Sequence, residues 1–345
     1  MTRFLALRNF LDYGLKPYLA GGSDNKPLGT QISEMRALWR AYDYLPYQYF
    51  RTGLYQREAL GAIEDFVPLR IIYDYAATLN PTAAQRPVWD KRLFRKRLEA
   101  AGLPVVHELL VIDAEGTIHD GADDEIDAAA ALMRLREYGR DVFVKPVDGT
   151  LGRGAFLQPV GDLDAGFFGR HRNVLVQPRI EQHPLLAALY PHAVNTVRID
   201  TLLTEEGFVH NAAVLRIGMG GAVVDNGAAG GLIVGLDLET GRLRPRARQQ
   251  PKFGTQWHAH HPDTGVALGT LTVPHWDLLR ATVVRAAEAM RPLGSLGWDV
   301  AITTEGVVLI ETNARWGVNI MQIGWGGLGR TEIGRRALAY RMGAV

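Results

Sequence analysis

Near the end of the chain, two carboxylates and an amide are spaced for metal chemistry. Trp298-Asp299-Val300-Ala301-Ile302-Thr303 and Val307-Val308-Leu309-Ile310-Glu311 read as strands joined by Thr304-Glu305-Gly306. With those three residues as the loop, Thr303 pairs with Val307. Counting back then sets Asp299 opposite Glu311, on one face with Cβ atoms ~5 Å apart. Asn313, two residues on, shares that face if the strand continues. Carboxylates this close repel unless something lies between them. Asp, Glu and an amide oxygen form a hard-oxygen set suited to Mg²⁺. The competing reading is an exposed hairpin with both acids in water. The apolar run Val307 to Ile310 argues against it and predicts a strand buried on both faces.

A second group of residues suits phosphate. Asp141 to Pro146 reads as a short strand carrying Lys145, followed by Val147-Asp148-Gly149-Thr150-Leu151-Gly152-Arg153-Gly154. Gly149, Gly152 and Gly154 allow backbone N–H groups to approach phosphate oxygens. No Lys-Ser/Thr follows the last glycine, so this is not a Walker loop, and the dinucleotide fingerprint is absent too. A strand–loop–strand flap fits, although a plain hairpin would look the same.

Further on, a strand breaks in Gln177-Pro178-Arg179-Ile180-Glu181. Proline there leaves backbone groups unpaired. They can meet an adenine edge, with Glu181 in reach of ribose hydroxyls. Arg198 and Arg216 sit on strands, where a guanidinium could face phosphate; a surface ion pair is the commoner role for either alone. Asp225-Asn226-Gly227-Ala228-Ala229-Gly230-Gly231 is a second loop able to lie tight against a ligand, through Asn226 and Gly231. Arg315, just past Asn313, is a candidate for holding a transferring phosphoryl group.

The elements that must carry these residues alternate irregularly. To about Pro87 the chain reads as helical and aromatic-rich, with Ser33 capping a helix from Glu34 to Tyr42 and a linker at Asn80-Pro81 and Arg86-Pro87. A basic helix from Asp90 to Ala101 carries Lys91. Strands are expected at Val105 to Ile112, Asp141 to Lys145, Ala155 to Pro159, Val174 to Gln177, Val197 to Leu203, Phe208 to Ile217, Leu232 to Leu238 and Leu271 to Val273. Helices are expected at Ile126 to Tyr138 and Trp276 to Met290. Frequent hairpins argue for an α+β fold with mostly antiparallel sheets.

The totals exclude several classes. Lys and Arg number 38 against 37 Asp and Glu, so nothing calls for nucleic acid or an anionic membrane. There is no Cys, which removes disulfides and thiolate catalysis. No run approaches the ~20 apolar residues of a membrane span, and the N-terminus has no secretory h-region. Phe4, Leu7, Leu11, Leu15 and Tyr18 recur at helical spacing and read as a helix packed on its own domain. His258, His260 and His261 lack the spacing of a zinc motif; surface residues or substrate contacts explain them better.

Taken in order, these pieces resemble the ATP-grasp superfamily: Lys91, Lys145, the glycine flap, the Gln-Pro-Arg-Ile hinge, Arg198, the Asn226 to Gly231 loop, and Asp299 with Glu311-Thr312-Asn313. The run from His261-Pro262-Asp263-Thr264-Gly265 to Gly297-Trp298-Asp299 is similar to the sugar-transfer-associated group. The resemblance implies two α+β subdomains, 89–175 and 176–345, sandwiching a nucleotide behind a helical region, 1–88. Lys91 and Lys145 would meet the phosphates and the adenine side, Gln177 to Ile180 would hold adenine, and Asp299, Glu311 and Asn313 would hold Mg²⁺, with Mn²⁺ an alternative. The usual chemistry joins a small carboxylate to an amine through an acyl phosphate, in the cytoplasm. A phosphotransferase acting on a hydroxyl or His, and a non-catalytic ATP-binding regulator, are the competing functions. A homodimer is left open. Most members carry a Rossmann-like domain in front, which helps form the acceptor site. Here that region reads as helical, so the acceptor does not carry over.

Overall fold

The computed structural model describes residue 18 and residues 24–43, 47–148, 154–164, 166–225 and 227–344. The apolar stripe Phe4 to Leu15 lies outside the described residues.

The front of the chain is helical. Its first long helix spans Leu28–Tyr42 and starts at Pro27, six residues before the expected Ser33 cap. Proline fixes φ near the helical value, so it can open a helix without a capping side chain. Leu69–Leu79 buries Ile71, Ile72, Tyr75 and Ala76. At the expected linker Asn80 is buried and anchored, while Pro81 and Arg86 are exposed. Asn80 Nδ2 donates to the Ser295 carbonyl, and Asn80 Oδ1 accepts from the Gly294 and Ser295 amides. Helix Lys91–Ala100 begins where expected, because Asp90 Oδ1 accepts from the Arg92 and Leu93 amides.

All strand pairings in the two sheets are antiparallel. The first sheet holds β1 (Leu110–Ile112), β2 (Ile118–Asp120), β3 (Glu125–Ile126), β4 (Val142–Pro146), β5 (Phe156–Gln158) and β6 (Val174–Pro178), in the order β3-β2-β1-β6-β4-β5. Helix Ala128–Tyr138, capped by Asp127 and ended by Gly139 in the left-handed region, packs Ala131 and Leu135 on Leu110, Ile112, Val142 and Val144. The strand expected from Val105 shrinks to β1. Val105 forms a parallel bridge with Leu309 instead.

The second sheet holds β7 (Thr196–Thr204), β8 (Gly207–Val209), β9 (Ala213–Ile217), β10 (Leu232–Gly235), β11 (Ala247–Arg248), β12 (Trp257–His258), β13 (Ser295–Ile302) and β14 (Val307–Asn313). Its order is β12-β11-β10-β9-β7-β13-β14, with β8 on β7. The single strand expected from Phe208 to Ile217 splits. Asp200 accepts from the Asn211 and Ala212 amides and from Asn211 Nδ2, pulling the chain out of the ladder there. Leu271 to Val273 forms no strand, only a bridge from Thr272 to Arg242.

Alternation divides the second sheet into two buried faces. Val197, Ile199, Leu215, Trp298 and Val300 face helix Trp276–Ala289 and Phe94 and Leu98 of the Lys91 helix. Val214 and Ile233 face the N-terminal helices together with helices Val318–Trp325 and Glu332–Arg341.

Candidate active site

The hairpin reaches the expected pairing by a different route. Ile302 pairs with Val307, not Thr303, and that register continues to Val300–Leu309. A bulge then absorbs Ile310 and restores Asp299 opposite Glu311. Thr303 closes the turn by donating its amide to the Gly306 carbonyl. Strand β13 is buried throughout, but β14 is a partly exposed edge strand, which corrects the expectation of burial on both faces. Its edge is met at one point, where the Leu309 amide donates to the Pro104 carbonyl.

Asp299 and Glu311 stand in different electrostatic surroundings. Arg198 grips both Asp299 oxygens, Nε on Oδ1 and Nη2 on Oδ2 at 2.8 Å, while its Nη1 donates to the Trp316 carbonyl. Arg216 adds a contact from Nη2 to Asp299 Oδ2 at 3.1 Å. Burial alone would raise Asp299, but the two guanidiniums hold it well below the usual carboxylate range. Glu311 accepts from Asn313 Nδ2 at 3.3 Å. Burial, and then the Asp299 charge, push its carboxyl up.

Arg216 is itself buried between carboxylates, with Asp225 3.5 Å away on its other side, and it donates to Thr196 Oγ1. Asp225 in turn accepts from the Thr196 amide at 2.9 Å. The turn back from Asp225 to β10 needs a glycine at 231. A Cβ there would lie 2.6 Å from the Asp225 carbonyl oxygen and 2.8 Å from that of Ile217. Asn226 lies outside the described residues.

The two lysines converge on Glu311 from other elements. Lys91, at the start of its helix, donates to the Val147 carbonyl at 3.2 Å. Burial lowers its pKa, opposed by Glu311, Asp148 and Asp90. Lys145 on β4 is almost wholly buried. Burial brings it down to about 8, against the pull of Glu311 and with a push from Lys91. Of the flap glycines, Gly149 and Gly152 lie outside the described residues. Gly154 has φ +73, and a Cβ on it would sit 3.2 Å from Pro146 Cγ.

The hinge disperses. Gln177 is buried at the end of β6, its amide donating to Glu108 Oε1 at 3.3 Å. Pro178 closes the strand against Val142. Arg179 points out, donating to the Pro191 carbonyl at 3.4 Å, and Glu181 pairs at 2.7 Å with Arg140, both exposed. Arg179, Ile180 and Glu181 line an open cleft of about 330 Å³ with Tyr138 and Arg140. Arg315 is exposed, its guanidinium 5.9 Å from the Tyr73 ring centroid. His261 is spent structurally, bonded to the Gly218 carbonyl and the Asp263 amide. Among the described residues no cluster of three His, Cys, Asp or Glu is arranged for a metal.

Glu108 is the residue that sequence reasoning missed. It is buried, 2.5 Å from Arg95 Nε, in contact with Gln177 and close enough to Lys145 for each to feel the other's charge. Its only signal in the sequence was a lone acid within a run otherwise read as an apolar strand.

The residues at this junction fit a divalent cation with a polyphosphate. Glu311 and Asn313 offer oxygens beside Asp299, and the charges of Arg198 and Lys91 do not offset burial and Asp299, which push the Glu311 carboxyl up. Residues 158–333 match the model of a family described as sugar-transfer associated ATP-grasp. The chain belongs to this family.

Several solved structures resemble this ATP-grasp protein. The ATP-grasp ligase PsnB complexed with precursor peptide PsnA2 and AMPPNP is 17% identical, over 77% of this chain and 62% of that one, with a TM-score of 0.44. D-cycloserine synthetase DcsG is 17% identical, over 76% and 73%, with a TM-score of 0.45. N5-carboxyaminoimidazole ribonucleotide synthetase from Thermotoga maritima is 13% identical, over 66% and 42%, with a TM-score of 0.35. The chain thus spans about three-fifths of the PsnB chain (62%). No curated protein matches. Among the described residues no helix of this ATP-grasp protein is long and apolar enough to cross a membrane.

Proposed function

We propose that the chain is an ATP-dependent ligase that joins a carboxylate to an amine, working in the cytoplasm where ATP is supplied. The observation that carries this reading is the convergence of Lys91, Lys145, Glu311, Asn313 and the Arg198–Asp299–Arg216 cluster where the two sheets meet. On this reading residues 89–175 form one nucleotide-binding subdomain and 176–345 the other. Lys91 and Lys145 draw in the phosphates, and Gln177 to Glu181 border the adenosine. Asp299, Glu311 and Asn313 hold Mg²⁺, or Mn²⁺ in its place, which when bound neutralises phosphate charge. A substrate carboxylate oxygen attacks the γ-phosphorus and ADP leaves. The amine then attacks the acyl carbon, and phosphate departs with the C–O bond electrons. Arg198, Arg216 and Arg315 supply positive charge to the transferring phosphoryl group, a role that needs no covalent nucleophile.

Hydroxylamine trapping tests this directly. Incubated with ATP, Mg²⁺ and a panel of carboxylic acids, the enzyme releases ADP and phosphate and forms a hydroxamate with the acid it activates. Phosphate retained on a hydroxyl or histidine product would make it a phosphotransferase instead. ATP binding without ADP release under any pairing would leave only a regulatory role.

A further inference from the structure

Among the described residues four arginines are deeply buried, and three of them have carboxylates: Arg95 has Glu108, and Arg198 and Arg216 share Asp299. The fourth, Arg248 on β11, is 1% exposed and has no acidic partner among the described residues. Its Nη2 donates to Gln56 Oε1, and its guanidinium stacks 4.7 Å from the Trp257 ring centroid. Among the described residues its Nε has no acceptor. Nor has the fully buried hydroxyl of Tyr55, or Nε1 of Trp257. Burial draws the Arg248 guanidinium down to about 10, with Tyr55 opposing. A buried cation without a counter-charge is costly.

Register ties this cation to the site. Thr196 faces Arg216, Arg216 faces Ile233, Ile233 faces Arg248, and Arg248 faces Trp257. Residues opposed in this way share one face of a sheet. Arg248 therefore lies on the face of Arg216, two strands away, or about 10 Å at the usual strand spacing. The loop that ends at Gly231 reaches across the gap, with the Gly230 carbonyl accepting from Gln249 Nε2. The neighbouring Arg246 already has Glu58 at 2.6 Å. Among the described residues one positive charge is left over, and a monoanion would balance it. A guanidinium fork pairs bidentately with a carboxylate, which carries that single charge.

We propose that Arg248, with the Tyr55 hydroxyl and the Trp257 indole N–H, is a subsite for a carboxylate that the substrate carries away from its reacting group. The proposal rests on the ligase reading and narrows the substrate class to molecules with a carboxylate about 10 Å from the phosphoryl-transfer centre by that strand spacing. It also gives the helical, aromatic front of the chain a role in acceptor recognition, since Tyr55 and Gln56 belong to it. That segment lies directly on the guanidinium. A Cβ at Gly53 would come within 2.4 Å of Arg248 Nη2, so the segment must lift for the anion to enter.

Glutarate and its uncharged diamide, glutaramide, serve as probes on protein saturated with ADP and Mg²⁺. The readouts are the Arg248 Nε–H resonance, assigned by its loss in Arg248→Met, and the melting temperature. Glutarate should move the resonance and raise the melting temperature by several degrees, while glutaramide does neither. Without probe, Arg248→Met should melt no lower than wild type, since the charge it removes is uncompensated. Tyr55→Phe, which keeps the ring, should weaken glutarate severalfold. Equal stabilisation of wild type and Arg248→Met by glutarate, or no movement of the resonance at tens of millimolar, overturns the subsite. A protein that ignores ADP with Mg²⁺ yet responds to glutarate through Arg248 overturns the ligase reading and keeps the subsite.

Discussion

Asp299 and Glu311 face each other across β13 and β14, yet the guanidiniums go to only one of them. Arg198 and Arg216 fix Asp299 as an anion, and Glu311 is left with a carboxyl that burial and Asp299 push toward protonation. The two acids are therefore not equivalent. Asp299 is already paired with the arginines, and Glu311 is the less neutralised of the two.

Their amide variants should behave oppositely. Asp299→Asn leaves two buried guanidiniums with one fewer counter-charge and should destabilise by about 3–5 kcal/mol, the usual cost of breaking a buried pair. Glu311→Gln relieves repulsion and should melt at or above the wild-type temperature when no nucleotide is present. Denaturant melts of the two variants check the signs.

Lys145 makes nucleotide binding pH-dependent. Burial disfavours its charge and brings its pKa down to about 8, below the ordinary lysine value. The unfolded chain therefore binds more protons between that value and the unfolded lysine pKa, and this group's contribution to stability rises with pH across the window. Function runs the other way. ATP needs the ammonium, so binding near pH 8 should take up a proton, and affinity should fall as pH rises further. Calorimetry in buffers of different ionisation enthalpy measures the uptake. Lys145→Arg, which stays charged, should abolish it.

Glu108 should govern base selectivity. It fixes the Gln177 amide by accepting its N–H, which sets which edge of that amide remains for a base. Glu108→Gln can reverse the amide and also removes a counter-charge from Arg95. A stability loss of about 1–3 kcal/mol is expected, because Arg95 keeps Glu99 as a second partner. Thermal shifts with ATP and GTP should then show a smaller preference for ATP than in wild type.

Gly231→Ala should disturb the cluster from behind. The added methyl meets two backbone carbonyls, which cannot move as side chains can. A cost of about 1–3 kcal/mol is expected, as for other overpacked sites. Turnover should fall as well, because Asp225 shifts away from Thr196 and Arg216.

Most of this site was legible because its residues lie on strands, where alternation determines the face. Asp299 opposite Glu311 follows from counting, whereas Arg198 and Arg216 were expected only to lie on strands, with a surface ion pair the commoner role for either. The hairpin count even succeeded on a false premise, since the turn is tighter than expected and the bulge at Ile310 makes up the difference. What escaped depends on contacts distant in sequence. Glu108 matters through Arg95 and Gln177, and Arg248 through Gln56 and Trp257, pairings that no local pattern carries. Asn80 read as part of a linker because only the fold supplies Gly294 and Ser295. The split of the Phe208 to Ile217 strand is caused by Asp200, a partner on another strand.

The central claim is that nucleotide and metal bind where Lys145 and Glu311 meet, and calorimetric titration with ATP tests it most directly. Wild type should bind ATP with Mg²⁺ and much more weakly without it. Glu311→Gln, shown to be folded, should weaken the Mg²⁺-dependent affinity by about tenfold or more, the loss of one charged contact. No heat at millimolar ATP, or equal Mg²⁺-dependent affinity in wild type and Glu311→Gln, would contradict it.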